Sequence, residues 1–501
     1  MNRVITFLMM LAILAVLRAA PPKREFRGAW LTTVYAIDWP SKSGSNSKVV
    51  ELQKAELDRY LDRFNEINLT TVCFQVRSLA DALYQSNREP WAAVASGTRG
   101  SDPGWDPLQY VIDGCHRRGL ECYAWINPFR WSAGPDYNTS FDRKFKEKSL
   151  LLNYDKYTVF NPALPEVRAH IIEVCREIIT NYNLDGILFD DYFYPNNIPE
   201  NETAADWELF QQSGEKEIGQ WRRDNINFVV TEICDMIART KPEMRFGIGP
   251  AGVAGKSNTS APVYGVEPCP VEASDWQYST IYSDPLAWLV DGTVDFISPQ
   301  LYWPTTHKTA PYEPLTQWWS KIAAKYGRYY YASQSTSFLD KEDTPQGRKE
   351  IAEQIELNRR YAVDGSSPGS CFFSARQLLG TVGNDLKNGV FSKPAIPPAV
   401  TWKFKNKYGA VEHLKLENGR LGWSAVKPVR EGALVRYTVY AIPPGVSLSQ
   451  ESSAEIPGEY LLGVTYFPSY AIPEVAEKGW TYAVTVLDGL GIEHIPAFIE
   501  N

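Results

Sequence analysis

Short apolar segments alternate with amphipathic segments along most of the chain. Between the apolar segments, apolar positions recur at helical spacing, as over 48–65, 107–118 and 165–182. Strands that alternate with helices in this way run parallel and are joined by crossovers. Eight such units over about 370 residues predict an α/β fold, a (β/α)8 TIM-type barrel. The apolar segments are 26–33, 70–77, 120–126, 184–190, 244–250, 294–300, 328–333 and 370–374.

A doubly wound open sheet is the alternative to the barrel. Such a sheet usually carries a glycine-rich phosphate turn after its first strand. Here the first apolar segment ends in Thr32-Thr33-Val34-Tyr35, with no GxGxxG pattern. The barrel is therefore the preferred interpretation, and we expect it to span residues 21–394.

The pattern changes after the proline-rich stretch 393–398, which is typical of a semi-rigid linker. Apolar and polar residues then alternate one by one, as in 435–440 and 481–486, with turn signals between them. About 100 residues of short strands predict a β-sandwich over 399–501, similar to a fibronectin type III domain. We expect this part to fold independently and to take no part in the chemistry.

The first twenty residues are typical of a secretory signal. Arg3 precedes an apolar run over 4–17, and the small residues Ala19 and Ala20 follow it. The run is short for a membrane-spanning helix, which needs roughly 20 residues. Export to the periplasm or the cell surface is expected, and an uncleaved N-terminal anchor is the alternative.

Composition narrows the classes of function. With 51 Lys+Arg against 59 Asp+Glu the net charge is −8, which argues against a nucleic-acid binder. The seven cysteines show no CxxC spacing and the five histidines are scattered, so neither a metal site nor a cofactor is expected. Aromatic residues make up 13 % of the chain, and flat aromatic faces are surfaces on which sugar rings stack.

Candidate catalytic residues follow the fourth apolar segment, because a barrel places its active site at the carboxyl ends of its strands. Asp190 and Asp191 close this segment, and Tyr192 and Tyr194 come directly after it. Burying carboxylates there costs several kcal/mol unless they are paired or hydrogen-bonded. We expect one carboxylate to face the substrate and the other to orient a neighbour, since side chains alternate along a continuing strand. An aspartate that only caps the following loop is the alternative.

Polar and aromatic residues also follow other predicted strands. Amide, guanidinium and aromatic groups together are suited to a neutral polyhydroxylated ligand. Taken singly, each could be an ordinary loop residue. The candidate substrate-binding residues are Gln75, Arg77, Asp81 and Tyr84 after the second strand, Trp125, Asn127 and Arg130 after the third, Tyr192 and Tyr194 after the fourth, and Gln300, Tyr302 and Trp303 after the sixth.

A second carboxyl group is harder to place. Glycoside hydrolysis usually needs two, one that protonates the leaving oxygen and one that acts as nucleophile or base. The ends of the fifth and sixth predicted strands carry no acid. Asp284 is the best candidate, although an Asp before Pro285 is also a good helix N-cap. Asp81 is the next candidate.

The sequence resembles the glycosyl hydrolase-like 10 family, formerly domain of unknown function 187, from about Arg24 to Leu379. The segments that carry the resemblance are RGAWLT (27–32), FQVR (74–77), AWINP (124–128), NP (161–162), PEVR (165–168), DGI (185–187), FDDY (189–192) and PQLYW (299–303). The resemblance implies an exported bacterial TIM-barrel protein. A family member that acts in cell division cleaves peptidoglycan strands stripped of their stem peptides. Many members are lipoproteins, whereas no cysteine lies near the predicted signal of this chain.

Two functions follow as hypotheses. The first is a hydrolase of β-linked amino-sugar glycans, with denuded peptidoglycan as substrate and Asp190 or Asp191 as part of its acid/base machinery. The second is a non-catalytic glycan-binding protein of the cell envelope, in which the missing acids mean lost catalysis. Release of new reducing ends distinguishes the two.

Overall fold

The structure, a computed structural model, describes residues 21–501 except for 134–135, 155–156, 364–365, 367, 447, 449–451, 453–455 and 474–478. The predicted export signal, residues 1–20, lies outside the described residues.

Eight parallel strands form a closed, barrel-like sheet. Each strand pairs in parallel with the next, and the last pairs with the first, with Phe26 opposite Gly369. The sheet confirms the predicted barrel architecture. The strands are β1 (Phe26–Leu31), β2 (Thr71–Arg77), β3 (Glu121–Ile126), β4 (Gly186–Phe189), β5 (Arg245–Ile248), β6 (Phe296–Ile297 and Gln300–Leu301), β7 (Tyr329–Tyr330 and Ala332–Ser335) and β8 (Gly369–Phe373).

A helix follows each strand before the next one begins or the barrel ends. Several have clear start signals, such as the Asn46 and Asp106 side chains, which accept hydrogen bonds from Val49 N and Gln109 N. No helix in the described ranges has an apolar stretch that would cross a membrane. The helices are α1 (Ser47–Glu66), α2 (Pro107–Arg117), α3 (Pro165–Asn181), α4 (Ile218–Thr240), α5 (Pro285–Val290), α6 (Tyr312–Lys325), α7 (Pro345–Arg360) and α8 (Thr381–Asn388).

The loops carry further short elements. A small antiparallel sheet lies in the β3–α3 connection and consists of Arg130–Ala133, Tyr157–Phe160 and Leu151–Tyr154. The other short elements are Val34–Ala36, Ala93–Ser96, Ser140–Glu147, Trp207–Ser213, Ala261–Tyr264, Trp276–Ser279, Ser337–Asp340, Ala375–Leu379 and Gly458–Tyr460.

Large aromatic side chains fill the barrel interior. Trp30 and Trp125 meet edge to face with ring centroids 4.7 Å apart, and Phe26 stacks on Tyr331 at 4.3 Å. Glycines on the strands make room for these rings. A Cβ added at Gly247 would lie 2.2 Å from the Phe296 ring, so no larger residue fits there. The interior is therefore a packed core, and ligands have access only to its ends.

The C-terminal part consists of two antiparallel sheets. Residues from both sheets share one apolar core, including Leu421, Tyr437 and Val484. This matches the expected pairing of short strands, while the likeness to fibronectin type III and the domain boundaries stay predictions. The first sheet contains β9 (Lys415–Glu417), β10 (Arg420–Gly422) and β13 (Ser469–Ala471), and the second contains β11 (Val435–Ile442), β12 (Leu461–Thr465), β14 (Thr481–Asp488) and β15 (Ala497–Glu500).

These sheets contact the amino-terminal ends of the barrel strands. Glu121, at the start of β3, pairs with Arg245 at 2.8 Å and also with Arg436 of β11. The Tyr466 hydroxyl donates to Asp185, just before β4, at 2.7 Å. Asp185 therefore belongs to the base of the barrel. The carboxyl ends of the strands lie at the opposite end.

Candidate active site

Asp190 and Asp191 lie at the carboxyl end of β4. The buried strand ends at Phe189, and the chain turns immediately, with Phe193 N donating to Asp191 O at 3.1 Å. The Asp191 N–H donates to the Asp190 carboxylate at 2.9 Å. Because the strand does not continue, the alternation expected from the sequence does not separate the two side chains. Both carboxyl groups stand at the barrel mouth, close enough to share a hydrogen bond.

The two carboxyl groups differ in proton affinity. Burial raises the pKa of both. For Asp190, hydrogen bonds from Asp191 and the positive charge of Arg130 oppose this rise. For Asp191, the negative charge of Asp190 adds to it, so the pKa of Asp191 lies well above the usual range. Of the two carboxyl groups, Asp191 therefore holds its proton more firmly than Asp190.

A cavity of about 380 Å³ opens beside Asp191. Gln300 links it to the carboxylate pair, because its Nε2 donates to Asp190 at 3.2 Å and to the Gly249 carbonyl at 3.0 Å. Trp276 is 38 % exposed, so a flat indole face is available to a ligand. The cavity is lined by Asp191, Ala251, Gly252, Val253, Ala273, Ser274, Trp276, Gln277, Gln300, Tyr302 and Trp303.

Tyr302 supplies a hydroxyl group to this cavity. Its ring stacks on Phe373 with centroids 5.6 Å apart. Burial and then the charges of Asp190 and Asp191 raise the pKa of its phenol well above the usual range. Tyr302 therefore stays protonated and can donate a hydrogen bond to a ligand.

Arg130 and two tyrosines form a second group at the mouth. The Arg130 guanidinium lies 4.4 Å from the Tyr192 ring centre and 5.8 Å from that of Tyr35, and it donates to the Tyr35 hydroxyl at 3.3 Å. Tyr192 is 45 % exposed and Tyr35 61 % exposed. Tyr35 was not among the sequence candidates, although it follows the first strand. It sits in a turn with φ of 54°, which strand-end reasoning does not identify.

Gln75 and Arg77 are buried beneath the barrel mouth. The Gln75 side-chain oxygen accepts hydrogen bonds from Thr33 N at 3.0 Å and Val34 N at 2.8 Å, which fixes the turn that carries Tyr35. Arg77 is fully buried and pairs with Glu89 at 2.6 Å. Both residues are predicted substrate ligands that the structure places beneath the surface, where they hold loops in place.

Asp81 and Asn127, two further candidates that follow the second and third strands, are also buried. Asp81 accepts from Leu79 N at 3.0 Å and pairs with Arg99 at 3.4 Å, so it closes a turn. Asn127 is fully buried and donates to the Ser78 carbonyl at 3.3 Å. The structure does not place either residue in the cavity beside Asp191.

Three predicted aromatic ligands are buried. Trp125 is 3 % exposed and packs on Trp30. Tyr84 packs against Tyr182, and Tyr194 packs against Tyr282 with centroids 5.4 Å apart. None of the three offers an open face on which a sugar could stack.

Asp284 occupies the N-cap of α5. Its side chain accepts from Ala287 N at 3.2 Å and from the Tyr264 hydroxyl at 2.7 Å, which confirms the helix-cap interpretation. Burial raises its pKa from 3.8 to about 6. The charged groups that act on it are Arg223 and Asp275 rather than the β4 pair, and Asp284 does not line the cavity. The structure therefore does not bring it together with Asp190 and Asp191.

Comparison with known proteins identifies the family. The model of the family described as "Glycosyl hydrolase-like 10" matches residues 25–337. The chain belongs to this family. Glycosyl hydrolase YngK of Bacillus subtilis (strain 168) is 33 % identical over 401 residues, which are 76 % of this chain and 75 % of the relative. Glycosyl hydrolase DigH of Escherichia coli (strain K12) is 32 % identical over 320 residues, 60 % of this chain and 70 % of the relative.

A solved structure with a similar fold is the PgaB (BpsB) glycoside hydrolase domain from Bordetella bronchiseptica. Its TM-score is 0.47 at 14 % identity, and the match covers 74 % of this chain and 99 % of that domain. The endo-1,4-β-mannanase from Rhizomucor miehei has a TM-score of 0.46 at 12 % identity, over 75 % and 95 % of the two chains.

The glycosyl hydrolase-like 10 region contains the whole candidate site. Asp190, Asp191, Gln300, Arg130 and Tyr35 all lie between residues 25 and 337. No group of three or more metal-ligating side chains occurs among the described residues. The site offers a carboxyl pair, an amide, a phenol, a guanidinium and exposed aromatic faces. Such a set can bind a sugar and transfer a proton to it.

Proposed function

We propose that the protein is a glycoside hydrolase that cleaves β-linked N-acetylamino-sugar glycans, with peptidoglycan stripped of its stem peptides as the natural substrate. The observation that carries this proposal is the buried Asp190–Asp191 pair at the barrel mouth, held by Gln300 beside a cavity. Membership of the glycosyl hydrolase-like 10 family supports the reaction class. The cell envelope, reached by export, is the proposed place of action.

Asp191 is the proposed general acid. Its pKa lies well above the usual range, which favours the protonated form that an acid needs to protonate a leaving oxygen. Asp190 is the more readily ionised of the two, and its carboxylate accepts hydrogen bonds from the Asp191 N–H and from Gln300. When the glycosidic bond breaks, the proton of Asp191 goes to the leaving oxygen, and the negative charge of Asp190 stabilises the positive charge that develops on the sugar.

The pair is too close to act from both sides of the bond. Conventional glycosidases place their two carboxyl groups about 5–9.5 Å apart, on opposite faces of the sugar. Neighbouring carboxyl groups fit substrate-assisted hydrolysis, in which the acetamido oxygen of the sugar attacks the anomeric carbon. Asp190 then accepts the amide N–H of this group and orients it. In the second step water attacks the same carbon, the bond from this carbon to the acetamido oxygen breaks, and one proton of the water returns to Asp191.

This route explains where acids are missing and restricts the class of substrate. The strand ends of β5 and β6 carry no acid because no second carboxylate on the far face is needed. The substrate must carry an N-acetyl group next to the scissile bond, which selects amino-sugar glycans over neutral polysaccharides such as mannan. Trp276, Tyr302 and Trp303 provide walls for the neighbouring sugar rings.

The test is release of new reducing ends from glycan strands. Residues 21–501 are incubated with peptidoglycan strands after amidase treatment and with untreated strands. We expect reducing ends from the treated strands and a loss of about 10²–10⁴-fold in rate for Asp191→Asn. Asp291→Asn, a matched change at an exposed aspartate just after α5, serves as the control and keeps the wild-type rate. Binding of the strands without any cleavage would instead support the glycan-binding hypothesis.

A further inference from the structure

Arg130 is a buried cation at the barrel mouth without a carboxylate partner. The residue is 7 % exposed, and no described acidic side chain forms a salt bridge with it. One of its terminal nitrogens donates to the Tyr35 hydroxyl at 3.3 Å. Its Nε is buried and has no acceptor among the described residues. The charge of Arg130 acts on Asp190, but the two do not form an ion pair.

Of the other six buried arginines among the described residues, five pair with a carboxylate and Arg223 does not. Arg223 donates to the Tyr278 carbonyl at 2.9 Å and stacks on the Tyr278 ring. The pairs formed by the rest are Arg27–Glu25, Arg77–Glu89, Arg222–Asp206, Arg245–Glu121 and Arg436–Glu121. A buried charge without such a partner is costly, and it persists where function requires it. Arg130 shares the lack of a carboxylate partner with Arg223, but it lies at the barrel mouth near Asp190, where substrate would bind.

We infer that Arg130 binds a carboxylate carried by the substrate sugar. A guanidinium presents its donors in a planar fork that matches a carboxylate, and the faces of Tyr35 and Tyr192 fix its orientation. The inference rests on the proposed function and deepens it. In a peptidoglycan strand the only carboxylate of the glycan is the lactyl group of N-acetylmuramic acid. This group is free after the stem peptide is removed and is an amide when the peptide is attached.

The proposal accounts for a preference for stripped strands without a steric argument. A free lactyl carboxylate brings the negative charge that Arg130 lacks, whereas an amide brings no charge. A charge-assisted pair of this kind corresponds to a preference of about tenfold to a hundredfold in kcat/KM.

The experiment compares three glycans of matched length. The first contains N-acetylmuramic acid with a free lactyl carboxylate, the second carries the same group as a methylamide, and the third is a chitooligosaccharide. We expect the wild type to prefer the free acid by the factor given above, and Arg130→Gln to lose that preference. Arg130→Lys keeps the charge without the planar fork and should retain part of it.

Two controls separate this role from others. Arg376→Gln removes a rim arginine that is already paired with Asp340 and should leave the preference among the three glycans unchanged. Because Arg130 also acts on Asp190, its removal lowers turnover on every glycan, so the ratio between substrates is the decisive readout. An equal loss on all three glycans, or a wild type that does not discriminate, would overturn the inference.

Calorimetry with Asp191→Asn keeps the test independent of catalysis. This variant should bind the free acid more tightly than the methylamide, and the double variant with Arg130→Gln should bind both equally. If the wild type releases no reducing ends while the binding preference persists, the proposed hydrolysis fails and the carboxylate site stands. Equal affinities for both glycans overturn the site even if cleavage is observed.

Discussion

The raised pKa of Asp191 connects the stability of the protein to its proposed chemistry. In the folded protein burial and the Asp190 charge raise the pKa of this carboxyl group, whereas in the unfolded chain the pKa is near 3.9. A raised folded pKa stabilises the protonated folded form, so the wild type loses stability as the pH rises above the unfolded value. The same shift provides the proton that the leaving oxygen needs.

Asp191→Asn should therefore separate stability from activity. At pH 7.5 the variant should melt at a higher temperature than the wild type, because ionisation of this carboxyl group stabilises the unfolded wild-type chain and asparagine does not ionise. Near pH 4 the melting temperatures should converge. Wild-type kcat/KM should follow a bell-shaped pH profile, with Asp190 ionising on the acid limb and Asp191 deprotonating on the alkaline limb. A higher melting temperature together with an unchanged rate would contradict the assignment of the acid.

Individual site residues were predictable to different degrees. The place of Asp190 and Asp191 at the barrel mouth follows from the sequence, because two carboxylates after an apolar strand have no ordinary structural reason; their catalytic role stays a prediction. The sequence places Gln75 and Arg77 near the carboxyl end of β2, where the structure also has them. A sequence does not show whether a polar side chain there faces the ligand or a loop behind it. Tyr35 was missed because a turn, rather than the strand, brings it to the mouth.

At the scale of elements, Asp284 shows that a helix N-cap can share two features with a catalytic acid, burial and a raised pKa. It caps α5 and contacts Tyr264, and burial raises its pKa to about 6. The shift from 3.8 corresponds to roughly 3 kcal/mol of stability, present at acid pH and lost as the pH rises through about 6. A cap of this kind changes stability rather than turnover.

We expect Asp284→Asn to melt at a higher temperature than the wild type, and the difference should be larger at pH 8 than at pH 5. The reason is that asparagine still caps the helix and carries no charge. Asp284→Ala should cost about 1 kcal/mol because the cap is lost. Cleavage per folded molecule should be unchanged for glycans with poor leaving groups and for activated aryl glycosides alike. A selective loss with poor leaving groups would restore Asp284 as the catalytic acid and displace Asp191.

Element existence was easier to predict than element ends. The apolar segments identified all eight strands because buried parallel strands are apolar throughout. The small sheet between β3 and α3 was not foreseen, since its strands lie within a connection where a helix was expected next. The predicted fourth segment runs to Asp190, whereas β4 ends at Phe189. Because the chain turns there, both carboxyl groups lie at the barrel mouth instead of alternating between two faces. The contact of Gln300 with Asp190 follows only from barrel closure, which local sequence does not encode.

At the scale of the whole molecule, the C-terminal sheets close the base of the barrel. The sequence predicts an independent unit behind a linker, whereas the structure shows buried charges shared across the boundary. Glu121 is 1 % exposed and pairs with Arg436 of the C-terminal sheet as well as with Arg245 of the barrel. Asp295 accepts from Trp402 at 3.1 Å and pairs with Lys403 at 2.7 Å.

A chain that ends at Pro394 should therefore fold less stably than the full chain. Truncation leaves Asp185, Glu121 and Asp295 with fewer partners, and removal of one partner of a buried pair typically costs about 3–5 kcal/mol. Thermal unfolding should show a melting temperature several degrees lower. The molecules that remain folded should still cleave short glycans, because the mouth lies at the other end. Loss of turnover in a fully folded truncated barrel would show that the sheets contribute to the chemistry.

Because the C-terminal sheets cover the base of the barrel, its two ends differ: one is covered and the other carries the mouth. Lys23 and Arg24, which lead into β1, contact Glu493 of the C-terminal part, so the chain enters the barrel at its covered end. A leader retained as a membrane anchor would hold this end towards the lipid and aim the mouth with Asp190 and Asp191 outwards. The distance between the bilayer and the carboxyl pair would then be set by the combined length of the C-terminal sheets and the barrel.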